Sequence, residues 1–380
     1  MQQFLLEKFQ AEEALEIINS IAPDERAKLF DELPPKIVRR LISQLSPAER
    51  QATSLLLGYQ TDTAGRLMTP EYIALTEHLT ATQAQERIRS LASSAEVSYY
   101  IYVVDSGKKL IGITSLKELI IALPEQTLGE IMTRDVVYAY TDTDQEEVAR
   151  LIQRYDLLAL PIVDKDENLL GVVTVDDVID ILQSEATEDI YTMGAVQADN
   201  DSYFNNNLFA AASKRTPWLL ILLVTNSITV IILSRYEQVL DEVVALAFFT
   251  PLLIDAGGNV GAQSSTVVIR GLSTDELRGK QPALVILREL LTGGLLGILL
   301  GILVIMAIFL FLGQGAIGFT VGLSLLSITL IAATSGAALP FIFHSLGLDP
   351  ALMSAPFITT VVDILGILIY LNIAKLLLGL

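Results

Sequence analysis

From Leu290 to Leu348 the chain carries no Lys, Arg, Asp or Glu. A transmembrane helix needs about 20 mostly apolar residues, so this run is too long for one span. Much of the C-terminal part must therefore cross a bilayer repeatedly, and the charge distribution separates it from the rest. Residues 1 to 213 hold 17 Lys and Arg against 35 Asp and Glu, a balance of −18, while residues 214 to 380 hold 8 against 9, a balance of −1. An acidic soluble half is joined to a nearly neutral membrane half.

Within the membrane half the stretch Pro251 to Gln263 reads PLLIDAGGNVGAQ. A Gly-Gly pair beside Asn259 and an acid, Asp255, predicts a helix break at Gly257 and Gly258, which membrane depth tolerates only where backbone is packed in protein or lines a wet cavity. A second acid, Asp363, lies in the apolar run from Ala351 to Ala374. Ionisable groups at such places face a bundle interior or a permeation path, so two carboxylates and an amide point to a cation route. Asp255 also has a plainer reading, as a cap or partner near the helix break.

Hydropathy places five spans at about 217 to 234, 242 to 267, 283 to 312, 318 to 343 and 351 to 378. An odd number puts the termini on opposite sides. Lys214, Arg215, Arg270, Arg278, Lys280 and Arg288 then fall on one side against Arg235 and Lys375 on the other, which sets the N-terminus in the cytoplasm and the C-terminus outside a bacterial-type plasma membrane. The polar, amphipathic start of the chain has no cleavable-signal pattern, in keeping with a cytoplasmic soluble half. Gly293, Gly294, Gly297 and Gly301 form a small-residue face of the third span, explained by close helix packing, and Gly301→Ala is expected to be mild. Glu289, at that span's entrance, reads as a salt-bridge partner of Arg288, Arg278 or Lys280 or as a group at an ion entry, and His344 as a solvated turn residue.

The lack of cysteine excludes disulfides and thiolate metal sites, and having only His78 and His344 argues against a His-based transition-metal cage. Oxygen ligands remain, suited to Mg2+ and Ca2+. The acidic balance argues against nucleic-acid partners.

The soluble half repeats twice over. Ile21-Ala22-Pro23, Leu33-Pro34-Pro35 and Leu45-Ser46-Pro47 recur every 12 residues, each before a helix-forming segment, which predicts a small all-α superhelical domain over residues 1 to 58. Leu67-Met68-Thr69 answers Ile131-Met132-Thr133, Val103-Val104-Asp105 answers Ile162-Val163-Asp164, and Gly112-Ile113-Thr114-Ser115 answers Gly171-Val172-Val173-Thr174. In each copy an amphipathic helix precedes two β-rich runs and a second helix. This α+β pair, residues 62 to 124 and 125 to 184, resembles a tandem of cystathionine-β-synthase-type (CBS) domains, with about five extra residues around Ser93 to Tyr99 in the first copy. Such pairs often bind adenine nucleotides, and the family's ribose-facing element falls on Gly171, Thr174 and Asp177. The first copy departs from it, with Ser115 and Glu118. ATP is accordingly a candidate ligand.

Residues 185 to 213 form a linking acidic helix and linker. On a helix Glu185, Glu188 and Asp189 share a face, which Asp177 and Asp180 continue. Such stacking of like charge destabilises a helix that bound cations could re-order, although a solvated acidic surface is the plainer alternative.

A helical repeat, a CBS pair, an acidic linking helix and a five-helix transmembrane domain over 214 to 380, containing PLLIDAGGNVGAQ and APFITTVVDILGILIY, together resemble the MgtE family of magnesium channels. The resemblance implies a multidomain membrane protein, not an enzyme, that assembles as a homodimer within membrane lipid with one pore on the two-fold axis. It assigns the pore to Asp363, Thr359, Gly257, Gly258 and Asn259, with Asp255 nearby, and a set of Mg2+-sensing acids to Glu146, Asp156, Asp177, Asp180, Glu185, Glu188 and Asp189. Ala355 stands where the family often has a polar Asn. High cytoplasmic Mg2+ would then close the pore through the acidic helix. Two other readings stay open, a secondary transporter exchanging Mg2+ against Na+ or H+ and a membrane-anchored nucleotide receptor without transport; carboxylates inside spans count against the second.

Overall fold

The computed structural model describes residues 17–91, 97–196, 208–274, 276–277, 279–352 and 355–380. Arg278, the first 16 residues and, within the first-copy insertion around Ser93 to Tyr99, Ser93 to Glu96 lie outside them. The chain divides into two compact units, Met1–Glu185 and Ala186–Leu380.

In the first unit the twelve-residue repeat becomes α1 (Pro23–Asp31), α2 (Pro35–Gln44) and α3 (Pro47–Leu56), each opening on its proline. Proline suits that position because its fixed φ is helical and its missing N–H would lack an intrahelical acceptor. Ser46 caps α3 by accepting from the Glu49 N–H at 3.3 Å. Ile18, Phe30, Leu33, Leu41 and Leu45 form the apolar core. Through it runs the fully buried Arg26, which donates to the Ile18 and Ile21 carbonyls at 2.8 and 2.5 Å and to Thr53 Oγ1 at 2.9 Å, and pairs with Glu49 at 2.5 Å.

A short helix α4 (Ala64–Leu67) leads into two matching motifs. The first is β1 (Tyr72–Thr76), α5 (Ala81–Leu91), β2 (Val97–Val104), β3 (Leu110–Ser115) and α6 (Leu116–Ile121). After α7 (Leu128–Ile131) the second follows as β4 (Ala139–Tyr140), α8 (Gln145–Tyr155), β5 (Ala159–Val163), β6 (Leu169–Thr174) and α9 (Val175–Met193). In each three-stranded sheet the first two strands are parallel and the last two antiparallel, so the helix is the crossover that a parallel pair requires. The leading strands β1 and β4 go beyond the sequence reading, which had each copy start at its helix; β4 has only two residues and no periodicity to detect. Bridges Thr69↔Val172 and Ile113↔Thr133 tie each motif to the segment leading into the other.

Among its described residues the second unit has five helices long and apolar enough to cross a membrane: α10 (Leu208–Arg235), then, after the short α11 (Glu237–Glu242), α12 (Ala245–Ser273), α13 (Pro282–Leu312), α14 (Gly315–Ser345) and α15 (Ala355–Leu378). They overlap all five expected spans, with ends shifted by up to several residues. Helix α12 packs between α14 and α15, α13 lies along α14, and α10 against α15.

Two expectations are corrected here. The break at Gly257–Gly258 does not occur, since α12 is continuous from Ala245 to Ser273. The glycines serve close approach instead: a Cβ at Gly257 would run into Ile328 of α14 and stand 2.9 Å from Val362 Cγ1 of α15, and one at Gly261 would stand 2.9 Å from Ile358 Cγ2. Nor is Gly301 a tolerant position. Its Cβ would lie 2.9 Å from the Gly322 carbonyl oxygen, a backbone atom of α14 that cannot turn aside.

Candidate functional site

Helix α12 buries Gly257, Gly258, Gly261, Ser264, Ser265 and Val268 and leaves Asp255, Asn259, Gln263, Thr266 and Arg270 exposed. These five recur at three- and four-residue spacing, so they make one exposed polar stripe down the helix. Asn259 Nδ2 donates to Asp255 Oδ2 at 3.2 Å, joining successive turns of the stripe. At Gly258 the helix comes against α15, where a Cβ would meet Thr359 Cγ2 at 3.2 Å. Thr359 and, one turn further on, Asp363 are half-buried on α15. The structure thus brings Gly258, Asn259 and Thr359 to one helix crossing, with Asp255 and Asp363 a turn away on their own helices. Gln263 and Thr266 were not singled out as site residues in the sequence, and Arg270 only as a topology marker, although their spacing from Asn259 was an available signal.

Among the described residues the five sensor acids of the first unit, Glu146, Asp156, Asp177, Asp180 and Glu185, form no metal-ligand cluster with one another. Glu146 opens α8 and pairs with Arg150 at 2.6 Å. Asp156 caps the far end of that helix in a left-handed conformation, φ 51°, at a distance of about 15 Å along the axis. Glu185 is tied to the start of α8 by accepting from Gln145 Nε2 at 2.5 Å. Asp180 and Glu188 are exposed. Asp189, within the second unit, sits beside Ser273, Arg270 and Asp349; burial and the Asp349 charge push its carboxyl above the ordinary range, against the Ser273 hydrogen bond and the Arg270 charge.

Asp177 differs from the rest in being buried, with 8% of its surface exposed. Thr174 Oγ1 donates to its Oδ2 at 2.7 Å and Lys28 Nζ to its Oδ1 at 2.6 Å. The two residues expected to face a ribose are therefore bonded to each other, and Asp177 also to Lys28 of α1. In the first copy Glu118 folds back on its own helix start: its Oε2 accepts from the Ser115 N–H at 2.8 Å and hydroxyl at 2.9 Å, and Ser115 Oγ accepts from the Glu118 N–H at 3.1 Å. This capping box holds the Glu118 carboxyl below its usual range, chiefly through the Ser115 backbone N–H.

A CBS pair followed by five apolar helices with carboxylates inside them defines a polytopic membrane protein of the ion-transporting kind. Family models agree: the divalent cation transporter model of MgtE matches residues 250–373, the CBS domain model 64–125 and 128–184, and the MgtE intracellular N domain model 1–62. The magnesium transporter MgtE of Thermus thermophilus is 45% identical over 90% of this chain and 76% of its own length, and that of Bacillus subtilis 39% identical over 98% and 82%. A crystal structure of the cytosolic domain of the Mg2+ channel MgtE in complex with ATP aligns at 42% identity and a TM-score of 0.46, covering 48% of this chain and 75% of that one. The chain belongs to the MgtE family of divalent cation transporters.

Proposed function

We propose that this chain is a homodimeric, Mg2+-selective channel for magnesium uptake across a bacterial plasma membrane, with its N-terminus in the cytoplasm, and that cytoplasmic Mg2+ closes it. The observation that carries this reading is the exposed polar stripe of α12, Asp255 to Gln263, on the helix whose Gly258 packs against Thr359 of α15, one turn before Asp363. Lipid does not accommodate such a stripe, so it calls for water or a second protomer. Mg2+ gives up its hydration shell reluctantly and takes six oxygens, so a conducting site holds the hydrated ion through few charges and lets it leave. One Asp363 from each protomer, with the Asn259 amide beside it, supplies such a site. Asp255, bonded to Asn259, orients that amide.

For sensing, the acidic half, at −18 per protomer, repels its copy until divalent ions bridge carboxylates. Asp180, Glu185, Glu188 and Asp189 on α9, with Glu146 and Asp156 on α8, are the acids assigned to those bridges, and Asp177 is assigned to Lys28 instead. Loosely built oxygen sites of this kind respond at roughly 10⁻⁴ to 10⁻² M, as they do for Ca2+. A nucleotide at Thr174 and Asp177 has to displace Lys28, which makes ATP a competitor of the N-terminal helices at that place.

The test is single-channel recording of the reconstituted chain with defined Mg2+ on each face. The proposal predicts currents well above carrier turnover that cease as cytoplasmic Mg2+ rises. Slow uptake that needs a Na+ or H+ gradient would replace it with the exchanger, and no flux at all with the anchored receptor.

A further inference from the structure

Carboxylate oxygens of Asp24, Glu25 and Asp177 lie within 4.8 Å of one another, at the point where α1 meets the start of α9. Three acids so close repel unless a cation stands among them. Lys28, on the same helix as Asp24 and Glu25 and within a turn of both, places its Nζ 2.6 Å from Asp177 and 2.9 Å from Glu25. Burial opposes the charge on this ammonium, but its hydrogen bonds to Asp177 and Glu25 outweigh burial and hold the group above its ordinary range. A second basic residue works nearby: Arg66 of α4 pairs with Asp31 at the end of α1 and donates to the Leu56 carbonyl at 2.9 Å. Around these pairs Ala27 and Leu56 share one apolar cluster with Leu67, Met68, Val178 and Ile181.

We infer that Lys28 is a built-in cation that docks the N-terminal helices on the second CBS motif without any divalent ion. The ammonium occupies the position between facing carboxylates that a bridging Mg2+ would otherwise take, and its covalent attachment to α1 makes it permanent. The N-terminal helices and the second CBS motif then move as one body at all Mg2+ concentrations. Mg2+-dependent rearrangement is left to the other assigned acids, Glu146, Asp156, Asp180, Glu185, Glu188 and Asp189. Nothing in this inference requires the chain to be a channel, and its test reads distance, not flux.

The chain has no cysteine, so spin labels at Arg40→Cys on α2 and Gln153→Cys on α8, both exposed positions, are unique. The full-length protein is reconstituted with an excess of unlabelled chain, so that labels on different protomers do not meet, and the dipolar distance distribution is recorded in EDTA and in millimolar Mg2+. One narrow distance, the same in both conditions, is expected. Lys28→Met is expected to lose the narrow peak in EDTA and regain it in Mg2+, while Lys28→Arg keeps it in both. A parent distribution that broadens in EDTA would overturn the inference without recourse to any variant. So would a Lys28→Met protein that stays narrow in EDTA, one equally broad with and without Mg2+, or a Lys28→Arg protein that broadens.

Discussion

The packing of α13 on α14 makes a quantitative prediction about four neighbouring glycines. A Cβ at Gly293 would lie 2.8 Å from the Thr329 carbonyl oxygen, at Gly297 2.9 Å from Leu326 Cα, and at Gly301 2.9 Å from the Gly322 carbonyl oxygen. At Gly294 the nearest atom is the movable Leu330 Cδ2 at 3.2 Å. Ordinary contact begins near 3.4 Å, so alanine at the first three positions forces the helices apart by about half an ångström, and a gap of about that size forfeits about a quarter of each contact's attraction. Overpacking costs about 1–3 kcal/mol. Against this, alanine in a helix is favoured over glycine by about 0.5–1 kcal/mol. At Gly294 the second effect wins and the variant should be neutral or slightly stabilised. At Gly301 the first wins, leaving a gap between the two variants of roughly 2 kcal/mol, about thirtyfold in the folding equilibrium. Thermal unfolding of each variant in mild detergent orders them, with Gly301→Ala well below the parent and Gly294→Ala at or above it. Equal midpoints would show that the backbones of α13 and α14 are not in contact as described.

Two further outcomes follow from the same reasoning. Arg26→Met leaves Glu49 and the Ile18 and Ile21 carbonyls without their buried donor, a loss of about 3–5 kcal/mol that should expose the N-terminal helices of the full-length chain to limited proteolysis. Neutralising Asp180, Glu185, Glu188 and Asp189 together removes both mutual repulsion and bridging ligands. Screening confines repulsion to about 8 Å at physiological salt whereas a bridging ion acts at contact, so the proposed pore should stay open at high cytoplasmic Mg2+, and a constitutively shut one would mean that repulsion dominates.

Much of this fold was legible because its signals are local and repeated. The prolines at 23, 35 and 47 mark helix starts wherever they fall, and the paired Gly-h-h-Thr/Ser elements fix both CBS motifs. Hydropathy located the spans because a bilayer imposes length and composition with little regard to neighbours. What the sequence hid is tertiary. Lys28 and Asp177 are 149 residues apart, and nothing local assigns one to the other. Gly257 and Gly258 looked like a break because glycine is the natural breaker, yet Ile328, Val362 and Thr359 fill the space that side chains there would need. The pair Ser115 and Glu118 departs from the ribose motif, and Ser-x-x-Glu ahead of an apolar run is also the pattern of a capping box, which is what it forms.

The central claim, that α15 carries the cation's carboxylate, is tested most directly by Mg2+ uptake into liposomes containing Asp363→Ala or Asp363→Asn protein, beside Asp255→Asn. Removing an intramembrane charge relieves desolvation and leaves the fold intact, so thermal midpoints should match or exceed the parent's. Uptake should vanish with either Asp363 variant and fall only partially with Asp255→Asn. Parent-level uptake by a folded Asp363→Ala protein would contradict the account.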